Sequence, residues 1–66
     1  MNVKYSEMDT IDPGLLFKTK GAILVKTTGT TLHVESTDVY VHEVEITEGE
    51  GQGDKYLHNL DTAKEL

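Results

Sequence analysis

Hydrophobic and β-branched residues crowd into the stretch from Gly21 to Ile46, GAILVKTTGTTLHVESTDVYVHEVEI. Val, Ile, Thr and Tyr suit a pleated, half-buried surface, whereas Gly, Ser and Asp suit reversals of direction. The pattern predicts three strands, Ala22–Thr27, Thr30–Glu35 and Val39–Ile46, joined as an antiparallel meander by turns at Thr28-Gly29 and Ser36-Thr37-Asp38. Within Thr30–Glu35, Leu32 and Val34 alternate with His33 and Glu35, so the two sets face opposite sides of a sheet. Ala22–Val25 is apolar at every position, which predicts a central strand covered on both faces.

Val39–Ile46 breaks the alternation. Val39 and Val41 have odd parity, while Val44 and Ile46 have even parity, and a regular strand cannot place all four on one face. A β-bulge near His42-Glu43 would reset parity and bury all four; in so small a chain, with few other core residues, this is the favoured solution. The alternative is a regular strand with Tyr40, Val44 and Ile46 inside. Val39 and Val41 then form an apolar spot beside Glu43 and Glu45, which suits a partner site.

The flanks add shorter elements. Asn2–Tyr5 alternates like a short edge strand, and Ser6-Glu7-Met8-Asp9 has the form of a capping box before one helical turn. In Asp12-Pro13-Gly14, Pro presets φ and Gly admits a positive φ, a turn signal. Leu15–Thr19 then reads as a short apolar strand. The order over Ile11–Val34 is turn, short strand, Gly, long strand, Thr-Gly turn, strand. It is similar to the opening of SH3-like small barrels, a resemblance that implies a fold and no activity. Residues 47–54, TEGEGQGD, have nothing apolar to bury and read as a mobile loop. Lys55–Leu66 reads as a strand over 55–60 and a helical turn over 61–65. The fold class expected is all-β, a small five-stranded SH3-like barrel or highly curved antiparallel sheet. The alternative is a three-stranded meander with a C-terminal helix.

Length bounds what such a fold does. Sixty-six residues make a single small β domain, residues 1–66, with a small core and no disulfide or thiolate metal site to stabilise it, since Cys is absent. Association with another chain, itself included, is a common remedy for a core of this size. No apolar run has the length of a membrane span, and the N-terminus lacks the basic start and apolar core of a signal peptide, so the expected location is cytoplasmic.

Charge narrows the partners. The net charge is −6, from twelve acids and six basic residues, all of them Lys. Arg is the preferred reader of phosphate and base edges, so direct nucleic-acid binding is not expected, and an anionic chain is repelled by anionic membranes. Residues 1–34 carry four Lys against Glu7, Asp9 and Asp12, a net of +1, while residues 35–66 carry nine acids against Lys55 and Lys64, a net of −7. An electrostatic partner is therefore expected to meet the second half, through Glu35, Asp38, Glu43, Glu45, Glu48 and Glu50, with Val39 and Val41 as the apolar contribution.

Candidate chemistry is sparse. His33, His42 and His58 each lie on a strand and are read as facing solvent; no HxxxH or HExxH spacing draws them into a metal site. Glu48, Glu50, Gln52 and Asp54 alternate with Gly as calcium ligands do, but the twelfth position holds Asn59 and the flanking helices are missing. GEGQG lacks the Lys-Ser/Thr end of a phosphate loop, and its acids repel phosphate. Nine Thr, two Ser and three Tyr include no nucleophile elbow. No catalytic, cofactor or metal residue is assigned, and an enzyme is not expected.

Three functions remain. The first is a non-enzymatic interaction module that binds another protein or assembles with copies of itself. The second is an anionic nucleic-acid mimic that fills the groove of a basic nucleic-acid-binding protein; small acidic proteins of mobile genetic elements have this character. The third is a structural subunit of a larger assembly.

Overall fold

A computed structural model describes residues 4–66. Five strands form one antiparallel sheet: β1 (Leu16–Lys18), β2 (Leu24–Val34), β3 (Val39–Ile46), β4 (Lys55–His58) and β5 (Lys64–Glu65). Their order across the sheet is β4-β3-β2-β1-β5. The expected five-stranded antiparallel sheet is therefore what forms. It is not closed: β4 and β5 are free edges rather than partners, so the barrel form of the expectation gives way to the open sheet. The alternative C-terminal helix is absent. After β4 the chain makes a 3-10 turn at Leu60–Thr62 and returns as β5 beside β1.

Pro13 and Gly14 make the expected turn, with Gly14 at φ +83°. Its consequence is tertiary. The Thr27 hydroxyl donates to the Asp12 carbonyl at 2.6 Å and accepts from the Leu15 N–H at 3.0 Å. The Gly14 N–H donates to the Thr27 carbonyl at 2.7 Å. The turn is thereby docked on the middle of β2, and Thr27 is buried with its polar atoms satisfied.

That docking corrects the reading of Thr28-Gly29 as a reversal. Ala22–Thr27 and Thr30–Glu35 are not two strands. They belong largely to one long strand, β2, which pairs with β3 on both sides of an irregularity between Thr27 and Thr31. Gly29 takes φ +92°, and a Cβ there would stand 3.4 Å from the Pro13 ring, so glycine meets both demands of the site. β2 is the middle strand, as its composition suggested. The first residues of the expected strand lie outside it, however, and are not covered on both faces: Ala22 lies in a turn at φ +64° and Ile23 is exposed.

The same irregularity resolves the parity of β3. The extra residues sit on β2, opposite Glu43, and not at His42-Glu43 of β3. β3 is a regular strand. His42 and Val44 point into the core, Tyr40 and Ile46 share their side, and Val39, Val41, Glu43 and Glu45 point out. The favoured bulge in β3 is thus overturned in favour of the regular strand.

The core is small. Ile11, Phe17, Val25, Val44 and Leu60 are its buried apolar side chains, with Tyr5, Leu15, Ile46, Tyr56 and Ala63 packed around them. Tyr5 meets Phe17 edge to face, with ring centroids 5.2 Å apart. The N-terminal helical turn spans Tyr5–Glu7 and is capped by Lys4 without a side-chain bond, so Ser6 does not act as the capping residue. Its hydroxyl and N–H donate instead to Asp61, at 2.5 and 3.2 Å, tying this turn to the second one. Of the edge strand expected at Asn2–Tyr5, residues 2 and 3 lie outside the described residues, and Tyr5 opens the helical turn.

Loop 47–54 is built from turns. Ile46 N–H donates to the Asp54 carbonyl and Gly53 N–H to the Ile46 carbonyl, both at 2.9 Å, and Gly49, Gly51 and Gly53 all take positive φ. No helix among the described residues is long and apolar enough to cross a membrane.

Candidate functional site

Directly opposed residues in a ladder point to the same face, so the registers sort every strand residue onto one of two faces. The inner face holds Phe17, Val25, Thr27, Thr31, His42, Val44 and Tyr56, under the two 3-10 turns. On the outer face Leu16, Lys18, Lys26, Leu32, Lys55, Leu57 and Lys64 are exposed. This face divides along the strands into an apolar half and a basic half.

The apolar half lies on the β2–β3 ribbon. β1 reaches β2 only at Leu24–Lys26, and β4 reaches β3 only at His42–Glu45. Thr31–Val34 and Val39–Val41 therefore pair only with each other, and they project as a two-stranded ribbon. On its outer side Leu32 lies opposite Val41, and Val34 opposite Val39. Leu57 of β4 joins them beside Glu43. Leu32 is 49% exposed and Leu57 45%, while Val34, Val39 and Val41 are half-buried.

The basic half crosses the sheet from the β4 edge to the β5 edge. Lys64 is opposite Lys18, Lys18 opposite Leu24, Leu16 opposite Lys26, Lys26 opposite Glu45, and Glu45 opposite Lys55. Four of the six lysines thus share one face with Leu16 and Leu24. His33–Asp38 is the ion pair among the described residues, so none of these four ammonium groups makes one there. Against Glu43 and Glu45 the outer strand positions carry +2. Lys4, Lys20 and the other ten acids leave −8 on the rest of the chain.

The expected site residues divide accordingly. Val39, Val41, Glu43 and Glu45 come together on the outer face of β3. Glu43 accepts a hydrogen bond from the Thr28 hydroxyl at 2.7 Å, and Glu45 sits between two lysine-bearing strands. Glu35 and Asp38 lie in the β2–β3 turn, where Asp38 is turned to His33 at 2.9 Å. Glu48 and Glu50 are at the opposite end, flanking a shallow groove with Ala22, Ile23 and Leu24. The six acids do not form one continuous row. The lysine cluster was not legible in composition, because its members come from both halves of the chain.

Two of the three histidines differ from the exposed reading as well, whereas His33 is exposed as read. His42 is fully buried. Its Nε2 lies 2.9 Å from the Tyr5 carbonyl, which only accepts, so that nitrogen carries the proton and Nδ1 accepts from the Thr31 hydroxyl at 2.8 Å. This ring joins β2, β3 and the N-terminal turn and is out of reach of any substrate. His58 is opposite His42 on the inner face, and its partial burial lowers its pKa below the usual histidine value. His33 stacks on Tyr40 at 4.8 Å on the ribbon. No three His, Asp or Glu side chains converge among the described residues.

Two groups outside the outer face are tuned by the contacts that hold the terminal turns. Burial alone would raise the Asp61 pKa; hydrogen bonds from Ser6 and the Tyr5 backbone, with Lys4 nearby, outweigh it and hold the carboxyl below its usual range. Tyr5 is pushed up by burial first and then by the Glu65 carboxylate that its hydroxyl faces.

No family model matches the chain, and no curated protein or solved structure matches it either.

Proposed function

We propose that this protein is a non-enzymatic interaction module that binds another protein through the outer face of its sheet. The observation that carries the reading is the ribbon surface of Leu32, Val34, Val39, Val41 and Leu57, apolar and uncovered in a chain with few apolar side chains to spare for its core. Burying such a patch on a partner removes it from water, while its polar margin supplies specificity. The buried histidine acts as a structural bond, so the reading rests on recognition rather than on a reacting side chain. The mimic reading finds less support, because Glu43 is bonded to Thr28 and Glu45 is flanked by lysines.

The test is capture of partners from an extract of the native source with the intact chain and with Val41→Lys as baits. The reading expects one or more proteins held by the first and released by the second, with both baits equally folded by circular dichroism. Equal capture by both baits defeats it.

A further inference from the structure

We infer that the protein bound on the outer face is acidic, and that Lys18, Lys26, Lys55 and Lys64 are the residues that recognise its carboxylates. The inference rests on the docking role proposed above and supplies the chemistry of the partner. It runs against the overall charge: a chain of net −6 presents a face whose strand positions carry +2. All four lysines are exposed, and none is ion-paired within the described chain.

Lys18 and Lys64 are direct cross-strand neighbours. Like charges in that position destabilise a sheet, so the free protein carries a repulsion that a bound carboxylate relieves. Leu16 and Leu24 lie among the lysines, Leu24 also bordering the groove of Glu48 and Glu50, and the apolar ribbon begins beyond the pairs of Lys26 with Glu45 and Thr28 with Glu43. The face therefore matches a surface with carboxylates at one end and apolar side chains at the other. A nucleic acid fits less well. Tyr5, Phe17 and Tyr56 all serve the inner side, Tyr40 shares that side, and the outer face offers neither an aromatic ring for stacking nor an Arg. The acidic remainder of the chain also repels a polyanion too long to stay on this face.

Backbone amide shifts during titration give the test, with three probes: a short peptide alternating Glu and Val, a matched Lys–Val peptide, and oligothymidylate. The Glu–Val peptide is expected to shift amides of β1, β2, β4 and the ribbon, and to weaken as salt rises. Lys18→Glu with Lys64→Glu should reduce its affinity by about tenfold or more. Lys18→Gln with Lys64→Gln, which removes the repulsive pair without creating another, should leave melting temperature unchanged or raised; a merely structural role for the lysines predicts the reverse. Binding of oligothymidylate in place of the Glu–Val peptide, equal binding of the Lys–Val peptide, or shifts confined to the inner side each overturn the inference. Light scattering that finds the chain self-associated, and separated by the lysine reversals, overturns it in favour of a second copy as the occupant. If Val41→Lys releases a captured protein while the lysine reversals do not, the docking role stands and the acidic partner falls.

Discussion

The two faces of the sheet are made by the same strands, residue by residue in alternation, yet they have opposite characters. Inside, Phe17, Val25 and Val44 are fully buried, and the polar groups among them, Thr27 and His42, have all their hydrogen bonds met. Outside, Leu32 and Leu57 stand half in water, and four lysines are spread across the sheet from edge to edge. Stability is concentrated on one face, and the proposed docking falls on the other. On that proposal, a substitution that changes binding need not touch the core.

The largest test of the comparison is Phe17→Ala. Phe17 is fully buried against Tyr5 and the inner strands. Its loss should cost about 3–5 kcal/mol, enough to unfold most of the population of so small a domain, as read by urea denaturation. A loss under about 1 kcal/mol would show that the inner face is not the core.

His42→Leu comes next. It removes both hydrogen bonds of the ring and leaves the Tyr5 carbonyl and the Thr31 hydroxyl without their partner. The expected cost is about 1–3 kcal/mol, with hydrogen-exchange protection falling most at the N-terminal turn. An unchanged denaturation midpoint would mean that this turn is not held by the ring.

Acid sharpens the comparison without mutation. His58 and Asp61 both have lowered pKa values in the fold. A depressed pKa means that the unfolded chain takes up the proton first, so stability present above the unfolded value is lost as pH falls through the folded one. Stability should therefore decline in two steps, one below the usual histidine value and one below the usual carboxylate value. Asp61→Asn should flatten the second step, by a small amount because the group is exposed. Tyr5 works in the opposite sense, and its raised pKa loses stability for the fold as pH rises past the ordinary tyrosine value. Denaturant melts across the pH range check all three signs.

The smallest effect on stability is expected on the outer face. Leu32→Ala and Val41→Lys should each cost under about 1 kcal/mol, since the first side chain is half exposed and the long stem of the second keeps its charge in water. A drop of several kcal/mol for Val41→Lys would place that residue inside and erase the distinction between the faces.

Much of this architecture was legible in the sequence, because strands and turns answer to local chemistry. The β-branched runs became strands, Pro13-Gly14 and residues 35–38 became turns, the Gly-rich segment became the β3–β4 connection, and 55–58 became a strand. Alternation in Thr30–Glu35 correctly placed Leu32 and Val34 on one side and His33 on the other. What the sequence left open was decided by contacts between residues far apart in the chain. Thr28-Gly29 looks like a reversal until β3 pairs on both sides of it and Pro13 packs on Gly29. His42 looks like an exposed strand histidine until the Tyr5 carbonyl, thirty-seven positions away, arrives to accept its proton. The lysines look scattered until the registers of the five strands set four of them on one face. Propensity is a property of a few neighbouring residues, and register is a property of the whole sheet; strands and most turns could be anticipated from the first, whereas the membership of the core and of the outer face depends on the second.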